Sequence, residues 1–391
     1  MNNHFIPKLL LRHFPSDKGR ISLYDLERKE LRPNVKIEDA FSAADFYPDD
    51  MERDFNKKTE GAFGNLLNNL ILRAKGSFVE LSRLQVKCVK KFLLLLIIRS
   101  ISQDDWIKGE MAFQKELTKI MGNASSLLPP FAEKKIEGEK PREYWLRTLQ
   151  CILDSQYGIP EEIEKDPNAT HMAWRWSWAL HSGYLAFWSS RNTNVDFLVT
   201  DIGMTSENEM LDEKGIPNNT KKQISLFNCF KLIPDDPVLR EYKNGFLQMA
   251  CRQLYFHENF MEFPISKDLM IVLINPYYKV YVSNKDKGFP FPSVKTLTKM
   301  DDEKAFLPNS TRYAKKGTYS DEDTFLYEIH ELNDRDCIYL NLLTLDRVEK
   351  TLGFADSSKI LNSLLAYQCI PGKLNDYSAL IDQISRSISN V

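Results

Sequence analysis

Apolar and polar positions along this chain follow two different periods. The segment RISLYDLERKELRP (20–33) alternates apolar and polar residues on both sides of Glu27–Lys29, which is typical of a β-hairpin. From 51 to 75 the apolar residues recur every three or four positions, which predicts a helix. A second helix is predicted from about 78 to 104. Its part FLLLLII (92–98) is apolar on every side, so we expect it to be buried at the centre of the fold.

The rest of the chain mixes helical and strand-like patterns. Further helices are predicted at 5–14, 143–156, 169–190, 237–256 and within the tail 344–389. Strand-like or extended segments are VDFLVT (195–200), DLMIVLI (268–274), KVYVSN (279–284), FLYEIHEL (325–332) and DCIYLNLLTL (336–345). Polar loops are predicted at 203–224 and 284–323.

These patterns predict an α+β fold with a mostly helical centre, an N-terminal β-hairpin and a mixed or antiparallel sheet contributed by the C-terminal half. We expect one domain over 1–345, with its helical centre at about 50–190 and its strand-containing part at about 195–345. A C-terminal helical tail is expected over 346–391.

Composition narrows the class of protein. With 43% apolar residues the chain can bury a substantial core, and its net charge of −2 provides no general attraction to nucleic acid or membranes, although a local basic groove is compatible with it. The six cysteines form no C-x-x-C pair and are typical of reduced thiols. The polar start MNNH differs from a secretory signal, and FLLLLII is too short to span a bilayer. We therefore expect a cytoplasmic protein.

Three charged residues fall at positions where apolar residues are expected. Glu60 points within about 60° of the apolar helix face, so its carboxylate either reaches solvent at the edge or needs a buried partner. Arg99 follows the apolar run and either caps its helix or turns inward to pair with a carboxylate such as Glu60. Asp201 ends FLVT and either forms a turn or serves as a metal ligand or catalytic base. The sequence leaves these alternatives open.

Several separated segments resemble a bacterial family of unknown function, domain of unknown function 4238. NHFIPKLLLRHF (3–14) is similar to its opening motif Asn-His-x-(Val/Ile)-Pro-x-x-x-Leu-x-x-Phe. The later segments that are similar to the family are ADFY (44–47), the helices carrying Glu60 and Arg99, FLVTD (197–201), FPIS (263–266) and Asn341. Where the family continues Ser-Asp with Asn-Pro, this chain has Asp201-Ile202-Gly203, so a site shaped by that turn would be altered.

The resemblance implies that His4 belongs with Glu60, Arg99 and Asp201. Such residues can carry out hydrolysis at phosphate: the carboxylates can act as base or hold a divalent metal such as Mg²⁺, His4 can transfer protons or act as a ligand, and Arg99 can neutralise phosphate charge. The first hypothesis is therefore a hydrolase acting on nucleic acid or nucleotides, with a role as an effector in bacterial defence or toxin systems.

The second hypothesis is a binding or assembly component without an active site. In that case the four residues form a buried polar network that fixes the packing of the N-terminus. Protein partners would then bind through the loops 203–224 or 284–323. The sequence contains no P-loop, G-x-G-x-x-G, G-x-S-x-G or H-E-x-x-H motif, so those enzyme classes are not expected.

Overall fold

A long buried helix, Arg83–Ser100, forms the centre of the fold, as the apolar run predicts. The computed structural model describes residues 2–15, 19–44, 46–100, 138–208, 258–274, 294–296, 321 and 323–389. Within these residues the chain is an α+β protein with an N-terminal hairpin and a mixed sheet drawn largely from the C-terminal half, which confirms the predicted fold class.

Helices surround this central helix. They are α1 (Lys8–Leu11), α2 (Asp49–Phe55), α3 (Gly61–Arg73), α4 (Arg83–Ser100), α5 (Pro141–Asp154), α6 (Pro160–Ile163), α7 (His171–Ser182), α8 (Asp334–Arg347), α9 (Ser357–Gln368) and α10 (Ser378–Ser389). A π-helical turn, Asn56–Glu60, joins α2 to α3, and a 3-10 turn covers Ile37–Asp39.

Within the described ranges the strands form three sheets. They are β1 (Asn2–His4), β2 (Arg20–Asp25), β3 (Glu30–Lys36), β4 (Ser42–Ala44), β5 (Phe78–Ser82), β6 (Tyr184–Ser189), β7 (Val199–Thr200), β8 (Thr205–Asn208), β9 (Glu258–Pro264), β10 (Leu269–Ile274), β11 (Val294–Thr296), β12 (Thr324–Glu331) and β13 (Thr351–Phe354). The large sheet has the order β11-β12-β6-β10-β9-β8, with β5 also paired to β12. The others are β3-β2-β13-β7 and β1-β4. The large sheet is mixed because β12 runs parallel to β6, while its other pairs are antiparallel.

Two predicted helices are shorter than expected because strands adjoin them. The predicted helix 78–104 begins only at Arg83, since Val79 and Leu81 alternate as buried residues of β5. The predicted helix 169–190 ends at Ser182. A Cβ on the following Gly183 would lie 2.6 Å from the side chain of Leu273, so this close crossing onto β10 needs glycine.

The prediction of an extended DCIYLNLLTL is wrong, because this segment lies in α8. The side chain of Asn333 accepts a hydrogen bond from the Asp336 amide at 3.0 Å and thereby caps the start of the helix. The predicted strand VDFLVT is paired only at Val199–Thr200, and the predicted helix 5–14 covers only Lys8–Leu11.

The C-terminal part is not wholly helical, since β13 inserts between β2 and β7 before α9 begins. Helices α9 and α10 then pack on the hairpin in one apolar cluster that contains Tyr24, Leu352, Leu364 and Leu380. The predicted helix 237–256, KVYVSN and most of the loops 203–224 and 284–323 lie outside the described residues. In those loops the structure describes the strands β8 and β11. Within the described ranges, no helix has the length and apolar character needed to cross a membrane.

Candidate functional site

Arg99, near the end of α4, is buried among acidic and aromatic side chains. Its Nη1 donates to the carboxylate of Glu60, and its Nη2 donates to the Tyr47 hydroxyl and, at 3.2 Å, to Glu52 Oε2. Its guanidinium carbon lies 4.2 Å from the centre of the Phe55 ring. Arg99 therefore turns inward and pairs with Glu60, which is one of the two alternatives left open by the sequence.

The two carboxylates set the charge state of this arginine. Burial by itself lowers the pKa of Arg99, but the negative charges of Glu60 and Glu52, with the Tyr47 hydroxyl beside them, more than offset that effect and raise the pKa above its ordinary value. The guanidinium is thus charged at all ordinary pH values, and two acids share one cation.

The π-helical turn explains how Glu52 and Glu60 reach the same guanidinium. Eight residues of regular α-helix advance by about 800°, which would leave the two side chains about 80° apart around the axis. The wider Asn56–Glu60 turn rotates the chain less per residue and realigns them. π-Helical turns occur frequently at functional sites, and this one carries Glu60 itself.

His4 is held in the neighbouring strand β1, which pairs with β4. Its Nε2 lies 3.1 Å from the carbonyl oxygen of Glu38, so Nε2 carries the proton and donates it. The lone pair is then on Nδ1, which is buried and has no hydrogen-bond partner among the residues that the structure describes. Burial, together with the charge of Lys8, lowers the pKa of His4, so the imidazole is neutral at neutral pH.

Tyr47 connects His4 to the arginine. The Tyr47 hydroxyl donates to the carbonyl oxygen of His4 at 2.8 Å and accepts from Arg99. Burial raises the pKa of Tyr47 well above its ordinary value, which keeps this hydroxyl protonated. We call the group His4, Tyr47, Glu52, Glu60 and Arg99 the arginine cluster. It joins the first strand of the chain to the central helix.

Asp201 is placed differently. Its carboxylate accepts three hydrogen bonds from consecutive backbone amides, those of Glu349 (3.3 Å), Lys350 (2.7 Å) and Thr351 (3.1 Å). These bonds hold the turn that leads into β13, and none of the hydrogen bonds of Asp201 reaches His4, Glu60 or Arg99. Burial raises the pKa of Asp201, although the backbone amides oppose this shift.

Packing also explains why the Asp201-Ile202-Gly203 turn ends in glycine. Gly203 has a φ of +65°, and a Cβ there would lie 2.9 Å from Ile6 Cδ1 and 3.0 Å from Leu96 Cδ1. Glycine is thus the residue that fits the conformation and the space at this position. The turn packs against the N-terminal segment and α4 through apolar contacts. The Asp201 carboxylate, in contrast, accepts hydrogen bonds from the backbone at the start of β13.

The chemically reachable part of the arginine cluster is its pair of glutamates. The Glu52 and Glu60 side chains are 13% and 12% exposed, whereas His4 and Arg99 are 2% exposed. In the part of the chain that the structure describes, no group of three or more His, Cys, Asp or Glu side chains is arranged to hold a metal. Two carboxylates nevertheless suffice for Mg²⁺ when water and a substrate phosphate supply the other ligands.

Sequence reasoning missed two members of the cluster, Glu52 and Tyr47. Tyr47 ends the ADFY segment that is similar to the family, which was an available signal. Glu52 lies among the acidic residues of DDMERDF and gives no sign of its partner, because its position depends on the π-helical turn.

The fold and this cluster define an α+β protein in which Tyr47 links the N-terminal strand to Arg99 of the buried central helix, and two carboxylates share that arginine. A family profile described as "Protein of unknown function (DUF4238)" matches residues 2–358, so the chain belongs to that family, as the resemblance predicted. No curated protein and no solved structure matches the chain.

Proposed function

We propose that the chain is a hydrolase that acts on the phosphates of nucleic acid or nucleotides, with Glu52 and Glu60 as the carboxylates that hold a metal and His4 as the base. The observation that carries this proposal is the pair of partly exposed glutamates fixed on one guanidinium, next to a neutral imidazole with an unpartnered Nδ1. Carboxylates and a neutral imidazole are groups that activate water.

We assign different roles to Glu52 and to three of the residues that the sequence singled out, His4, Glu60 and Arg99. Arg99 is buried and directs both of its terminal nitrogens at Glu52, Glu60 and Tyr47, so it positions the carboxylates instead of binding phosphate. A substrate phosphate would otherwise be repelled by the two acids, so we include a divalent metal such as Mg²⁺ held by Glu52 and Glu60. His4 supplies the base through Nδ1. Because that atom is buried, the N-terminal segment has to shift to admit water.

The test is a hydrolysis assay on the purified chain with Mg²⁺ or Mn²⁺ and a panel of single-stranded DNA, double-stranded DNA, RNA and nucleotides. We expect Glu60→Gln to lower the rate by about 100-fold or more. Glu38→Gln is the matched control, since the Glu38 side chain is exposed and only its backbone carbonyl contacts His4. No hydrolysis of any substrate by the unmodified chain, or full activity of Glu60→Gln, would contradict the proposal.

A second candidate, a binding or assembly component, is favoured by the burial of His4 and Arg99. A satisfied polar network of this kind fixes one packing arrangement without any chemistry. Contact through the loops 203–224 or 284–323 stays a sequence-based proposal. This candidate predicts that substitutions in the cluster change stability alone. A role in bacterial defence or toxin systems is likewise a proposal, which expression of the unmodified chain and of Glu60→Gln in a bacterial host would test.

A further inference from the structure

Two further buried cations, Lys90 and Lys91, lie on α4, nine and eight positions before Arg99. Lys90 Nζ donates to the carbonyl oxygens of His181 (3.2 Å) and Gly183 (2.8 Å). Both carbonyls belong to the end of α7, where a helix leaves its last carbonyls unsatisfied and carries partial negative charge. Lys90 therefore fastens the central helix to the junction between α7 and β6.

The adjacent Lys91 makes the corresponding contact with a different helix. Its Nζ donates to the carbonyl oxygens of Leu153 (3.2 Å) and Ser155 (2.6 Å) at the end of α5. The carboxylates of Glu162 and Asp154 contribute to its charge environment. Lys91 is thus partly balanced by acids, and it provides a matched comparison for Lys90.

Lys90 has no such balance within the described residues. It is 1% exposed, and burial lowers its pKa well below the ordinary value, with no carboxylate acting on it. Its neighbour His181 is also buried. The backbone groups of Tyr157 and Gly158 bond to the His181 ring, and Nε2 has no hydrogen-bond partner. The charged groups that act on His181 are Lys90 and Lys87, both on α4.

We propose that Lys90 and His181 form an acid-sensitive latch between α4 and the α7–β6 junction, which opens when His181 gains a proton. Protonation adds a second positive charge beside Lys90, and no carboxylate among the described residues neutralises it. The junction cannot relieve the repulsion by shifting toward Leu273, because Gly183 already packs against that side chain with no room for a Cβ. Opening at this point separates the central helix from the first residues of β6.

The sign of the pH effect follows from the direction of both shifts. Burial and the Lys90 charge lower the pKa of folded His181 well below its ordinary 6.5. The unfolded chain then binds a proton more readily than the folded one, so stability is complete above pH 6.5 and falls as the pH decreases toward the folded pKa. Lys90 also lowers the stability as the pH decreases, but over a higher pH range that begins at its ordinary pKa of 10.5.

The test measures the folding equilibrium constant by denaturant unfolding from pH 8 to pH 5. Each proton bound only by the unfolded chain lowers this constant by up to about tenfold per pH unit. We expect His181→Gln to reduce the slope between pH 6.5 and pH 5. Lys90→Met should also reduce it, because removing the neighbouring charge makes His181 easier to protonate in the folded state. Lys91→Met is the control, and its slope below pH 6.5 should match that of the unmodified chain.

An NMR titration of the unmodified chain gives a second readout that does not depend on the variants folding. The His181 ring signals should not titrate between pH 8 and pH 5.5 in the folded protein. A His181 midpoint near 6.5, or a Lys90→Met slope equal to that of the unmodified chain, would overturn the latch.

Discussion

Helix α4 buries basic residues in two ways, and the comparison shows what each arrangement is suited to do. Arg99 lies between two carboxylates and a tyrosine hydroxyl, and the negative charges of the carboxylates raise its pKa. Lys90, nine positions earlier, donates hydrogen bonds to two backbone carbonyls and to no side chain among the described residues, and burial lowers its pKa. The first arrangement keeps a permanent charge that holds two acids in place. The second leaves a marginal charge that responds to pH.

The largest loss of stability in this comparison should follow from removing the charge of Arg99. Arg99→Met leaves Glu52 and Glu60 close together without a shared cation, and we expect a loss of about 3–5 kcal/mol in the free energy of unfolding. Chemical denaturation at pH 7 measures this loss. A loss below about 1 kcal/mol would show that the two carboxylates are solvated well enough to do without Arg99.

The Asp201 carboxylate is bound by backbone amides, whereas those of Glu52 and Glu60 are bound by Arg99, so a substitution of Asp201 extends the comparison. Asp201→Asn replaces one acceptor oxygen with an amide group that faces the Glu349–Thr351 amides, so we expect a loss of about 1.5–3 kcal/mol. The thermal midpoint should fall, while hydrolysis measured well below that midpoint should persist. Loss of hydrolysis without loss of stability would indicate that Asp201 is a catalytic residue.

Removing the other cation should have the smallest effect. Lys90→Met leaves two carbonyls without a donor but also removes a buried charge, so the two effects offset each other and the net change at pH 7 should stay within about 1 kcal/mol. Denaturant midpoints of Lys90→Met and Arg99→Met under identical conditions compare the two regions directly. Equal losses would contradict the distinction drawn between them.

The sequence predicted those features that depend on local pattern. The apolar run of α4, the hairpin and the inward face of Glu60 follow from residue spacing, and the pairing of Arg99 with Glu60 was one of two alternatives that spacing allowed. The segment containing α8 was misinterpreted because Ile338, Tyr339 and Thr344 favour strands, although its leucines favour a helix. The side chain of Asn333 caps this segment at its start and thereby stabilises it as a helix.

What could not be predicted depends on contacts between distant parts of the chain. The carboxylate of Asp201 binds amides about 150 positions away, which no local pattern reveals. Glu52 joins Arg99 only because a π-helical turn realigns it with Glu60. The crossing at Gly183 is set by Leu273 on a neighbouring strand, so the end of α7 was placed too late in the sequence.

The most direct test of the proposed function compares two quantities in one variant, Glu60→Gln: the rate of metal-dependent phosphate-ester hydrolysis and the free energy of unfolding. The account predicts a rate at least about 100-fold below that of the unmodified chain, with stability changed by no more than about 1 kcal/mol, because the amide keeps a hydrogen bond from Arg99. An unchanged rate, or a large loss of stability in a chain that hydrolyses nothing, would contradict it and identify the arginine cluster as purely structural.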